Sequence, residues 1–140
     1  MNAAPAAPRW FVVDDESAIL NLAAMMLRKF SRADVRTCAD AQEALSHITT
    51  APASLELVIT DLKMPGMNGL ELARHVRTLA PNAKVLLTTG SVNLPGEADL
   101  REHGVDLLLP KPYCYQELLN AVRRLCGTDS FRLNATKGWL

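Results

Sequence analysis

Four short apolar runs and one weakly alternating segment, separated by stretches with helical spacing, limit what this chain can fold into more than any other feature. They span residues 10–13, 34–38, 56–60, 84–88 and 105–109. Four of them lead straight into reactive side chains. WFVV ends at Asp14-Asp15, LVIT at Asp61, VLLT at Thr89 and LLLP at Lys111-Pro112. Near-continuous apolar strands with helices between them form a parallel sheet covered on both faces. All four pieces then reach the same carboxyl edge, where open α/β sheets bind their ligands. Three carboxylates, a hydroxyl and an ammonium in one pocket suit a divalent cation together with a phosphoryl group.

The intervening segments read as helices. Residues 18–30 place Ile19, Leu22, Ala23, Met26, Leu27 and Phe30 on one inner face, with Ser17 as N-cap. Asp40 and Glu43 form a capping-box pattern before Ala41, Ala44, Leu45 and Ile48. A break follows at Thr50–Ser54. A third helix runs from about Asn68 to Leu79 and stops at Pro81. The fourth is expected over residues 93–103, with Pro95 in its first turn, and the fifth over residues 115–126 before Gly127. Strand 34–38 alternates weakly and suits an edge. Residues 1–8 read as an Ala/Pro lead-in, 9–127 as one domain, and 128–140 as a tail without sustained period.

Composition closes off several classes. With 15 basic and 15 acidic side chains the formal net charge is +0, so nothing draws the domain generally to nucleic acid or an anionic membrane. No run of 18 apolar residues is present to span a membrane. Cys38, Cys114 and Cys126 have no metal-ligand spacing and read as free thiols of a reducing cytoplasm. His47, His75 and His103 fall within expected helices and have no cluster of ligands around them.

The remaining chemistry belongs to the strand ends. Asp14, Asp15 and Asp61 repel one another unless a cation joins them. Hard oxygen ligands with few protein contacts favour Mg²⁺, which keeps waters and bridges to phosphate. Lys111 can neutralise Asp61 or a phosphoryl oxygen, and Thr89 can donate to another. An aspartate attacking phosphorus forms an acyl phosphate, and such a transfer needs mainly positioning and charge neutralisation.

These pieces, as VVDDE, VITDLKMPGMNGLEL, LLTTGS and LPKPY, resemble a response-regulator receiver domain, the phospho-acceptor module of two-component signalling. The resemblance covers roughly residues 9–127. It implies a flavodoxin-like (βα)5 fold of strand order 2-1-3-4-5. It implies Asp61 as the phosphorylated aspartate, Asp15 and Asp14 as Mg²⁺ ligands, and the backbone carbonyl of Lys63 as a further ligand. Thr89 becomes the switch hydroxyl beside the small Gly90, and Lys111 the phosphate-binding lysine, with a cis bond to Pro112. The implied donor is a sensor histidine kinase or a histidine phosphotransfer domain, and a receiver–receiver dimer is a further implied partner. Such a domain catalyses its own phosphorylation and dephosphorylation without being a turnover enzyme. A haloacid-dehalogenase-like phosphohydrolase would need a second Asp where Lys63 stands, and a phosphate-independent interaction module would not need the full acidic set. The resemblance lapses at Leu108, where the family usually carries Tyr or Phe, and more mildly at Asn68, where Asp is common.

Overall fold

The computed structural model describes residues 7–132; most of the expected lead-in and the end of the expected tail lie outside them. Strands β1 (Arg9–Val13), β2 (Asp34–Cys38), β3 (Leu55–Asp61), β4 (Lys84–Thr89) and β5 (Leu107–Pro110) alternate with helices α1 (Ser17–Phe30), α2 (Ala41–Thr50), α3 (Gly69–Leu79), α4 (Glu97–Glu102) and α5 (Tyr115–Cys126). The strands pair in parallel in the order β2-β1-β3-β4-β5, as the resemblance implied. Their twofold periodicity splits the apolar side chains between two faces. Phe11, Val13, Val58 and Leu87 meet α2 and α3, while Trp10, Val12, Ile59 and Leu86 meet α1 and α5. Full burial of each large aliphatic or aromatic side chain stabilises the fold by roughly 1.5–3 kcal/mol.

Local chemistry starts and stops the helices. Asn68 caps α3 by accepting from Glu71 N at 2.9 Å, and Glu71 returns the bond to Asn68 N at 3.1 Å. Asp40 caps α2 by accepting from Glu43 N, but Glu43 accepts from Ala39 N instead of closing the expected box. At α1 the N-cap is Glu16, not Ser17, and no side chain caps it. Asp14 stabilises that turn by accepting from Glu16 N at 2.9 Å.

Four expectations need correction. The inner face of α1 consists of Leu20, Ala23, Ala24 and Leu27. Ile19, Leu22 and Met26 instead line an outward groove against the start of α5, because α1 carries more apolar residues than the sheet can cover. Helix α4 has six residues, begins after Gly96 and buries none of its side chains. Pro95 thus precedes its N-cap, and His103 follows its last turn. Strand β5 pairs only from Leu107; Val105 is buried but lies before the ladder. Finally, residues 128–132 of the expected formless tail pack onto the domain. Phe131 forms an antiparallel bridge with Ser31, is 5% exposed, and packs its ring 5.8 Å from that of Trp10. The bonds Arg32 N to Ser130 O at 2.7 Å and Arg132 N to Phe30 O at 3.0 Å flank that bridge.

Candidate phosphoryl and metal site

The parallel sheet delivers the expected residues to one place. Asp14 follows β1 and Asp61 ends β3 beside it, both buried, while Asp15 is exposed to solvent. One carboxylate oxygen from each of the three lies within 4.8 Å of the others. Lys111, just past β5, reaches over the edge and donates to Asp14 Oδ2 at 2.8 Å, with Asp61 Oδ2 at 3.5 Å. Its ammonium is mostly enclosed, the side chain being 13% exposed. Asp61 Oδ1 is held by Leu62 N at 3.0 Å. The Lys111-Pro112 bond is cis, as the resemblance implied.

The electrostatics follow from burial around an excess of negative charge. Burial raises the Asp61 pKa above the usual carboxylate value; Lys111 counters this and Asp14 adds to it. Burial alone would lower the Lys111 pKa, but the hydrogen bond and charge of Asp14, with Asp61 beside it, outweigh that and raise it. Tyr113 is also raised, first by burial, with Lys111 opposing and the two aspartates adding. One ammonium against three carboxylates leaves the cluster short of positive charge, so the donor set fits a hard divalent cation.

A cleft of about 380 Å³ opens over these groups, and its walls include Asp15, Asp61, Lys63, Thr89 and Lys111. Thr89 is buried, and its Oγ1 accepts from Ser91 N at 3.1 Å. A Cβ added at Gly90 would meet only the Lys111 Cβ, at 3.8 Å, so packing does not by itself demand glycine there. Leu108 is half-buried over the face that carries α3, paired in register with Leu87. Two contributors carry no role in the sequence reading. Glu16 lines the cleft, signalled only by its place after the two aspartates. Gly69 lets α3 press on the strand end, since a Cβ there would lie 2.3 Å from the Asp61 carbonyl oxygen. No helix among the described residues is long and apolar enough to cross a membrane.

Comparison with known proteins agrees with this geometry. The chain is 32% identical over 119 residues to the C4-dicarboxylate transport transcriptional regulatory protein DctD of Rhizobium meliloti, covering 85% of this chain and 25% of that protein. It is 32% identical over 117 residues to response regulator MprA of Mycolicibacterium vanbaalenii, covering 84% of this chain and 49% of that one. It therefore spans between a quarter and a half of these relatives. Chemotaxis protein CheY4 of Vibrio cholerae superposes with a TM-score of 0.77 at 26% identity, covering 86% of this chain and 99% of that one. A receiver domain protein from Clostridium thermocellum gives 0.77 at 28% identity, over 95% of this chain and 99% of that one. The family model described as the response regulator receiver domain matches residues 11–123. With fold, strand order and acidic edge all in agreement, the chain belongs to the receiver domain family of two-component response regulators.

Proposed function

We propose that Asp61 is the phosphoryl acceptor of this receiver, that Asp14, Asp15, Asp61 and the backbone carbonyl of Lys63 hold Mg²⁺, and that the donor is a histidine kinase or histidine phosphotransfer domain. One observation carries the reading: Lys111 bridges Asp14 and Asp61 at 2.8 and 3.5 Å in a cleft that Asp15 and Thr89 also line. In the transfer an Asp61 oxygen forms a bond to phosphorus as the phosphorus–nitrogen bond of a phosphohistidine breaks. The electron pair leaves with the imidazole, which takes a proton from solvent. Lys111 stands where it can release Asp14 and neutralise a phosphoryl oxygen. Thr89 can turn its hydroxyl from Ser91 N toward another. Bound Mg²⁺ supplies charge neutralisation for the phosphoryl oxygens.

The apolar groove between α1 and α5 opens beside Gly90 and Lys111, which supports docking of a protein donor there. The balanced charge supports a domain that makes no nucleic-acid contact of its own. Free thiols and a phosphohistidine donor fit a cytoplasmic location, and a receiver–receiver dimer is a further partner of the same reading.

Incubation with Mg²⁺ and a small acyl phosphate tests this by intact mass. A gain of one labile phosphoryl group is expected in the unmodified chain and none in Asp61→Asn, which keeps the shape and removes the nucleophile. A gain that persists in Asp61→Asn, or borohydride trapping at another residue, would falsify the assignment. Sustained phosphate release at enzymatic rates would instead indicate a hydrolase.

A further inference from the structure

Between Glu16 and Arg28 the chain carries no charged residue, and that stretch makes up most of α1. The other four helices each hold an acidic side chain in the first turn; α1 has none. Its solvent side presents apolar groups instead. Among the described residues, Leu22 is 55% exposed and Met25 54% exposed. Beside them Ile19, Leu22 and Met26 form a groove of about 580 Å³ with Tyr113, Tyr115 and Leu118. Apolar groups left open together on one helix mark an interaction site.

The order of residues along α1 points to the partner. Counted from Leu22, Asp15 and Glu16 lie seven and six residues back, and Arg28 and Lys29 six and seven residues on. Ile19 and Met25 lie three to either side, Ala18 and Met26 four. Turning the helix end for end about Leu22 therefore exchanges acid for base and apolar for apolar. A twofold interface joins the same patch on both copies, so it needs a patch that matches its own reversal. Leu22, Met25 and Lys29 share one face at helical spacing. Asp15, Glu16 and Lys29 are exposed. Arg28 is tied to Val35 O by bonds of 2.7 and 3.2 Å, which leaves Lys29 as the base that reaches across.

We propose that α1 is a self-association surface: two copies of the chain pack antiparallel along it, Leu22 on Leu22, with the Asp15-Glu16 turn of each beside Lys29 of the other. Apolar contact supplies the affinity. The charged ends fix the direction, since a parallel pair sets acid against acid and base against base. Helix α1 is about 20 Å long and about 10 Å across. That face is smaller than the ~800 Å² per partner of a standard interface, so a Kd on the order of 10–100 µM is expected. Lys111 and Gly90 line the same groove, so a second copy covers ground that a protein donor would use. The pairing gives a surface to the receiver–receiver partner proposed above, and this regulatory consequence rests on that reading; the contact itself rests on α1.

Sedimentation equilibrium of the full 140-residue chain, from well below to well above that concentration, tests the pairing. The average mass is expected to rise from monomer toward dimer. Leu22→Asp, with folding checked by circular dichroism, is expected to weaken association about tenfold or more, since it buries two unpaired carboxylates at the axis. Lys29→Glu, on the exposed rim, is expected to weaken it several-fold. Adding Glu16→Lys to that chain is expected to restore association, at the net charge of the unmodified chain. A mass that stays monomeric throughout overturns the proposal. Association indifferent to Leu22→Asp assigns the contact to another surface and also overturns it, as does a loss on Lys29→Glu that Glu16→Lys does not recover. Phosphorylation of Asp61 by a small acyl phosphate is measured separately on the dilute unmodified chain, so failure of the pairing and failure of the acceptor assignment are told apart.

Discussion

At the site, single atoms set the tolerances. Gly69 opens α3 where a Cβ would lie 2.3 Å from the Asp61 carbonyl oxygen and 2.7 Å from Leu87 Cδ1. Gly69→Ala should destabilise the fold by about 1–3 kcal/mol through overpacking. Because the displaced strand end carries Asp61, phosphorylation by a small acyl phosphate should also slow; a melting curve and an intact-mass time course check both. Cys38 shows the opposite situation, a group sealed from its charged form. Burial, helped by Glu43 and Asp40, pushes its pKa from 9.0 up to about 12. Above pH 9.0 the unfolded thiol ionises while the folded one stays protonated. The folded state then holds more protons, so stability falls as pH rises until the folded thiol itself ionises near 12. The loss from this group is on the order of 1 kcal/mol per pH unit. Denaturant titrations of the unmodified chain and Cys38→Ala at pH 8 and pH 10 should differ by that slope. The four strand-end motifs were legible because a strand that stops at a polar residue fixes where that residue goes. Gly69 was not, because its need for glycine arises from the approach of α3 to β3, which sequence spacing does not reveal.

Among the elements, α4 departs furthest from the reading of the sequence. Expected over residues 93–103, it begins only after Gly96, and Val92 ahead of it is 94% exposed. Its far end is better held. Arg77 of α3 donates to Gly104 O at 2.8 Å, to Asp106 Oδ2 at 3.0 Å and to Pro81 O at 2.6 Å. Asp106 Oδ2 in turn accepts from Val85 N at 2.8 Å. Hydrogen exchange should therefore be fast over residues 91–100 and slower beyond Gly104, since local opening follows sparse burial. Arg77→Ala should erase that difference and lower stability by about 0.5–1.5 kcal/mol, as partly exposed acceptors lose their donor. Leu108 belongs to the same region. With leucine in place of the usual aromatic, a phosphoryl mimic should change exchange mainly at residues 90–100; changes confined to residues 105–109 would contradict this.

For the molecule as a whole, the ladder of strands and helices was readable from periodicity, and the strand order from the resemblance. The closing contact was not. Phe131 is one aromatic in a stretch without period, and nothing near it in sequence shows that it will cover Trp10. Phe131→Ala should cost about 3–5 kcal/mol, the range for emptying a buried aromatic site, and should lower the melting temperature accordingly. The loss should appear as well in a chain ending at Gly127, where the same contact is missing.

The docking of Phe131 also settles how the two ends of the domain relate in space. Asp34 N donates to Pro8 O at 2.8 Å and Arg32 N to Ser130 O at 2.7 Å, so both ends meet the same turn between α1 and β2. That turn lies at the amino edge of the sheet, opposite Asp61. A short bridge could therefore join residue 132 to residue 7 and let the backbone be opened at an exposed loop, such as the one around Val92, giving a circular permutant with an unbroken sheet. The domain could equally be spliced into a surface loop of a host protein, entering and leaving through one gap while its acidic cleft faces away from the junction.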